Sequence, residues 1–176
     1  MTINRILLTG GAGFLGSNLV ECLIKNNYEV IVLELSSANL KRLERFSAAG
    51  NLKIYFVDRL KIADIFKENQ ITAIIHTAVN YGRAKFTDAA VIETNIKFPV
   101  ALLETGIQYG INLFINADSF FNTLNSKYQY MRNYTLSKKQ FVEWLELIGV
   151  GKIPIINLKL FHLFGKYDNL NKFAPQ

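Results

Sequence analysis

Short apolar runs alternate with stretches whose apolar residues recur at helical spacing. The run at residues 3–9 ends in glycines, and residues 13–27 then carry Leu15, Leu19, Leu23 and Ile24 on one helical face. Residues 28–33 predict a second strand, closed by Glu34. Residues 37–47 predict a helix with Leu40, Leu43 and Phe46 on one side and Ser36 or Ser37 as its N-cap. Residues 52–57 predict a third strand and 62–69 a short helix. The run at 72–77 is rich in isoleucine on both faces, as a buried parallel strand requires. A long helix follows over 88–109, with Pro99 inside it and therefore a kink expected there. Residues 111–116 read as a fifth strand, 134–148 as a helix with Phe141, Trp144, Leu145 and Ile148 on its apolar side, and 153–160 as a sixth strand. Strands alternating with helices predict an α/β fold, a doubly wound parallel sheet with helices on both faces. Only 122–130 and the tail after Phe164 look irregular, and neither is long enough to separate two domains.

Composition agrees with this picture and narrows it. The chain has 176 residues, 50% apolar and 19% charged, enough for one sizeable core and too apolar for a disordered chain. No apolar run reaches the ~18 residues of a membrane span. The apolar run before the first glycines is too short for a signal-peptide core, so the chain reads as cytoplasmic. The single cysteine, Cys22, excludes an intramolecular disulfide. The net charge of +6 is uneven, because residues 121–176 hold 8 basic and 3 acidic side chains. These bases are mostly scattered singles with no recognition motif, so no nucleic acid is expected as a partner.

Three glycines punctuate the first strand–helix junction. In Thr9-Gly10-Gly11-Ala12-Gly13-Phe14-Leu15-Gly16, residues Gly10, Gly13 and Gly16 fit G-x-x-G-x-x-G. The first glycine permits the tight turn, the second lets backbone approach a pyrophosphate, and the third packs helix against strand. The helix start, with Phe14 and Leu15, offers N–H groups to phosphate. A chain of this composition contains the pattern by chance about 0.002 times. A dinucleotide, NAD(H) or NADP(H), is the expected cofactor. Glu34 is placed to accept from the adenosine ribose, which favours NAD. Lys41, Arg42 and Arg45 follow closely and could attract a 2′-phosphate, which leaves the choice open. Asp58 ends the third strand within reach of an adenine edge, or serves as a turn residue.

Tyr134 and Lys138 stand at i, i+4 and share a helix face. A tyrosine can protonate a carbonyl oxygen during hydride transfer if an ammonium lowers its pKa, and the same lysine can hold the nicotinamide ribose. The spacing alone is weak, since about 0.6 such pairs arise by chance, and Tyr81…Lys85 is a second. Position separates them: Tyr134 opens the helix after the fifth strand, close to where a doubly wound sheet binds its ligand.

Thr9–Gly16, His76-Thr77-Ala78, Asn95 and Tyr134…Lys138 occur in an order that resembles the extended short-chain dehydrogenases/reductases, the NAD-dependent epimerase/dehydratase family. The resemblance implies a Rossmann domain over 1–176, with 161–176 the start of a substrate-binding lobe that is otherwise largely absent. It adds Thr77, Ala78 and Asn95 to the cofactor-binding residues. Asn95–Pro99, Phe114-Ile115-Asn116 with Asp118 and Phe120-Phe121-Asn122, Ser137–Phe141, Leu158-Lys159-Leu160 with His162, and Lys172-Phe173 look more narrowly like reductases of the CDP-abequose synthase type. That type implies reduction of a CDP-linked 4-keto-3,6-dideoxyhexose for surface polysaccharide (O-antigen) biosynthesis. A sugar epimerase or dehydratase is the near competitor.

The departures from the family are as informative. Its usual Ser or Thr beyond the fifth strand falls on Ala117, which has no hydroxyl. Ser119, two residues on, can stand in if the chain stays extended. His76-Thr77-Ala78-Val79 and Phe164-Gly165-Lys166 also depart from the family pattern. His76 reads as structural, and with His162 it makes no metal-ligand spacing, so no metal is expected. Family members pair through the helices at 88–109 and 134–148, which implies a homodimer, with Phe98, Leu102, Phe141 and Leu145 as contacts or as core. A second reading is a truncated, non-catalytic dinucleotide-binding protein, which Ala117 and the length favour.

Overall fold

The computed structural model describes residues 4–83, 86–123 and 131–168. Lys85, residues 124–130 and Lys172-Phe173 lie outside the described residues. Six strands form one sheet: β1 Arg5–Thr9, β2 Glu29–Glu34, β3 Leu52–Phe56, β4 Ala73–His76, β5 Leu113–Ser119 and β6 Ile155–Leu160. Their order is β3-β2-β1-β4-β5-β6 and every pairing is parallel. The order reverses between β1 and β4, the point where such sheets open a ligand crevice. The expected α/β architecture is therefore present.

Helices α1 Phe14–Lys25, α2 Ile62–Glu68, α4 Phe98–Gln108 and α5 Arg132–Gly149 cover the sheet. Alternate side chains of a strand point to opposite faces, so each strand supplies two cores. Leu7, Ile31, Leu33, Ile74 and Phe114 meet α2, α4 and α5 through Ile65, Phe66, Leu102, Leu103, Phe141 and Leu145. Leu8, Val30 and Val32 meet Val20 of α1 and Leu43 on the other side. β6 is the edge strand: Ile155 packs against the core, while Ile156 to Lys159 are exposed.

Several local expectations are corrected. Residues 37–47 form two 3-10 turns, Leu40–Arg42 and Glu44–Phe46, instead of one helix, and Asn39 caps the first in place of Ser36 or Ser37. The apolar residues at 40, 43 and 46 are spaced by three, the period of a 3-10 helix. The long helix is interrupted before Pro99: α3 Asp88–Ile92 passes into a π turn at Glu93–Lys97 and then α4. Pro99 cannot donate to the carbonyl of Asn95, and its ring would crowd that carbonyl in an α-helix. The wider turn accommodates both effects. β5 runs on to Ser119, three residues beyond the expected end, because β6 pairs with it through Leu160. Trp144, expected on the apolar side of α5, is 47% exposed.

Candidate active site

A cleft of about 1060 Å³ opens along the carboxyl ends of the strands, lined by Gly10, Gly13, Phe14, Leu15, Gly16, Glu34, Asp58, Thr77, Ala78, Ser119, Tyr134 and Lys138 among others. The fold thus gathers residues spread over more than a hundred positions into one groove.

The glycine loop is shaped by close approach. Gly10 sits at φ +72°, and a Cβ there would fall 2.8 Å from the backbone N of Ala78. A Cβ on Gly16 would lie 2.0 Å from the Gly10 carbonyl oxygen. Gly13 is the N-cap of α1; no side chain caps the helix and its first turn holds no acidic residue. Backbone N–H groups and the positive end of the dipole therefore face the cleft, the arrangement that accepts a pyrophosphate. Ala78 closes against the loop, and the Thr77 hydroxyl donates to the Thr9 carbonyl at 2.7 Å.

Two carboxylates stand farther along. Glu34 Oε1 accepts from the backbone N–H of Ala12 at 2.7 Å. Burial raises its pKa, and the backbone N–H groups of Ala12 and Leu35 oppose that rise. Asp58 takes both donors of Ser36, the backbone N–H at 2.8 Å and the hydroxyl at 2.5 Å, and these hold its carboxyl below the usual range. Of the nearby cations, Arg45 reaches Glu21 at 3.1 Å and the Ser17 carbonyl at 3.2 Å. Arg42 donates to the Tyr167 carbonyl. Asn95 is not part of the cleft wall. Its amide is buried, accepting from Asn80 N–H and donating to the Asn80 carbonyl and the Ser137 hydroxyl. It ties the loop after β4 to α5.

The end of the cleft that holds Tyr134 and Lys138 is built by β5 and α5. Tyr134 is 7% exposed, and its hydroxyl is hydrogen-bonded to Ser119. The extended course of β5 brings Ser119 there. Burial is the main influence on the tyrosine and raises its pKa, Ser119 lowers it, and the charges of Tyr81 and Asp118 raise it again. Lys138 stands one helical turn on from Tyr134. The lysine is 3% exposed, and its Nζ donates to the Ala117 carbonyl at 2.7 Å. Burial pulls the Lys138 pKa down to about 8, against the attraction of Asp118.

His76 is buried among Phe98, Phe114 and Phe141, with Nδ1 at 2.8 Å from the Thr9 hydroxyl. His162 stands exposed against Phe120. Two neighbours of the site were not legible beforehand. Tyr81 lies with its ring 5.2 Å from that of Tyr134, although its spacing to Lys85 looked like chance. Asn157 reaches Asp118 from β6, a cross-strand relation that no local pattern encodes.

A family model described as the NAD dependent epimerase/dehydratase family matches residues 6–176. CDP-abequose synthase of Salmonella muenchen is 35% identical over 178 aligned residues, which take in 97% of this chain and 57% of that protein. The structure of UDP-glucose 4-epimerase from Thermotoga maritima, solved with UDP-glucose, is similar at a TM-score of 0.74 and 28% identity, over 88% of this chain and 54% of that one. The UDP-glucuronic acid 4-epimerase of Bacillus cereus, solved with NAD, gives a TM-score of 0.77 at 21% identity, over 92% of this chain and 57% of its own. The chain spans little more than half the length of the curated relatives it matches over nearly its whole length.

Proposed function

The chain belongs to the NAD-dependent epimerase/dehydratase family, and we propose that it is the cofactor-binding and proton-relay part of a nucleotide-sugar reductase. The substrate class in this reading is a 4-keto-3,6-dideoxyhexose carried on CDP, and the product a dideoxysugar for surface polysaccharide. The carrier and sugar follow from likeness to the Salmonella synthase over 97% of this chain. The direction of reaction follows from the same likeness, and the observation that carries the relay is the place of Tyr134, buried on the cleft wall beside Ser119.

In the reducing direction a protonated tyrosine is the acid for the carbonyl oxygen. When bound, the dinucleotide supplies the hydride. Tyr134 gives its phenolic proton to the ketone oxygen, which becomes the hydroxyl of the product. Ser119 orients the phenol and is the hydroxyl nearest the role lost at Ala117. Lys138, one helical turn on, is fixed by the Ala117 carbonyl with its ammonium at the cleft, where it can hold a ribose hydroxyl. NAD(H) is favoured over NADP(H), since Glu34 faces the cleft while Arg42 and Arg45 are occupied by Tyr167, Glu21 and Ser17.

The test is loss of reduced-nicotinamide absorbance with CDP-4-keto-3,6-dideoxyhexose, measured for this chain and for Tyr134→Phe. Turnover abolished in the variant, with NADH binding retained, supports the reading. NADH binding without turnover of any CDP- or UDP-linked keto sugar supports the non-catalytic alternative that Ala117 favours.

A further inference from the structure

The loop after β4 is held more firmly than a surface connection needs. Asn80 is 8% exposed. Its backbone N–H donates to Asn95 Oδ1 at 2.7 Å, and its carbonyl accepts from Asn95 Nδ2 at 2.8 Å. The same Asn95 amide reaches the Ser137 hydroxyl of α5. Asn80 Oδ1 in turn accepts from the Gly82 N–H at 2.9 Å. Gly82 stands at φ +65°, a conformation that favours glycine, and a Cβ there would meet Val91 of α3 at 3.2 Å. A buried polar network of this kind fixes a loop in one arrangement. Yet the two large side chains that the loop presents, Tyr81 and Arg83, are exposed, and both line the cleft.

The Tyr81 ring lies 5.2 Å from that of Tyr134, and the Arg83 guanidinium lies over the Tyr81 ring, 5.3 Å from its centre. Such a contact orients a cation without consuming its N–H donors. Among the described residues Arg83 makes no hydrogen bond and no ion pair. The other two cations of the cleft wall are engaged, Arg42 with the Tyr167 carbonyl and Lys138 with the Ala117 carbonyl. Arg83 thus keeps its whole fork of donors open to a ligand, and that fork matches two oxygens of a phosphate. The phosphates of the dinucleotide have the start of α1. Those of a sugar nucleotide need a separate cation. A hexose carries its reacting C4 and its phosphate-bearing C1 at opposite ends of the ring. With C4 at Tyr134, the phosphate falls a ring's width away, a separation that the intervening Tyr81 ring provides. We propose that Arg83, braced on Tyr81, receives the diphosphate of the nucleotide-sugar substrate. The proposal rests on the reading of the substrate as a nucleotide sugar, and Arg83 in it recognises the phosphates, not the base.

The test is isothermal titration of the 176-residue chain with CDP, with UDP and with NADH. The parent is expected to bind all three. Arg83→Gln should weaken CDP and UDP alike, by about tenfold or more, and leave NADH affinity unchanged. Tyr81→Leu, which removes the ring under the guanidinium, should weaken CDP in the same direction by less. Both side chains are exposed, so the variants should melt like the parent. A parent that binds no CDP, or an unchanged CDP affinity in Arg83→Gln, overturns the proposal. Equal weakening of NADH also overturns it, because Arg83 would then serve the cofactor's phosphates. A loss for CDP without a loss for UDP overturns it in favour of the base. Turnover is not measured: a chain that binds CDP through Arg83 but reduces no keto sugar keeps this proposal and loses the reductase reading.

Discussion

Lys138 Nζ donates to the backbone carbonyl of Ala117 at 2.7 Å. The position where the family's hydroxyl is missing therefore still serves the site, through its main chain. Any residue at 117 can supply that carbonyl. A hydroxyl restored there should add a donor without disturbing the lysine. Ala117→Ser is expected to raise turnover of the keto sugar, and Ser119→Ala to lower it by about 10²–10³ if Ser119 is the working hydroxyl. Steady-state rates of the two variants and their combination check this. An Ala117→Ser, Ser119→Ala double variant that recovers the parent rate would show that the two positions are alternatives.

Gly16→Ala should abolish dinucleotide binding. Its Cβ would lie 2.0 Å from the Gly10 carbonyl oxygen, which is backbone and cannot yield without moving the loop. Gly10→Ala adds left-handed strain of about 1–2 kcal/mol to a comparable clash. NADH fluorescence titration and thermal melting should show binding lost in both, with Tm lowered.

Stability should depend on pH through two buried bases of depressed pKa. Lys138 has its ordinary 10.5 brought down to about 8. Between those values the unfolded chain binds more protons than the folded one, so stability rises with pH through that window. The full change is on the order of 3 kcal/mol. Denaturant unfolding at pH 8 and pH 10, compared with Lys138→Met, should show the rise only in the parent. His76 behaves likewise in the acid range. Burial takes its pKa well below 6.5, so stability is complete above pH 6.5 and is lost as pH falls below it. A stability curve flat between pH 7 and pH 5 would contradict this.

Homodimerisation is expected through the outer face of α5. Leu102, Phe141 and Leu145 are consumed by the core, but Trp144 (47%) and Leu147 (72%) remain exposed on that helix. Sedimentation should show a dimer at micromolar concentration, converted to monomer by Leu147→Lys. A monomeric parent would remove the dimer from the reading.

Much of this was legible locally. Strands show as apolar runs, helices as apolar residues three and four apart, and the phosphate loop as glycines at fixed spacing, because each depends on a few adjacent residues. The 3-10 turns at 40–46 and the π turn at 93–97 were not. The first show only as apolar residues three apart, a spacing that an α-helix shares, and the second takes the place of the kink that Pro99 predicts. Tyr134, Lys138 and Ser119 could be singled out by spacing and order, but not the Tyr81 ring or the Asn157 amide beside them.

By itself the sequence determined the order of the strands and marked the glycine loop and the Tyr134…Lys138 pair as candidates, since these follow from periodicity and short motifs. Tertiary structure decided what the pair touches. β5 continues to Ser119 because β6 pairs with it, and that carries a hydroxyl to Tyr134. The register Asn116↔Asn157 brings an amide to Asp118. Burial, a property of the whole fold, raises the tyrosine's pKa and brings the lysine to about 8. Contacts between residues tens of positions apart arise from strand pairing and packing, and no local pattern contains them.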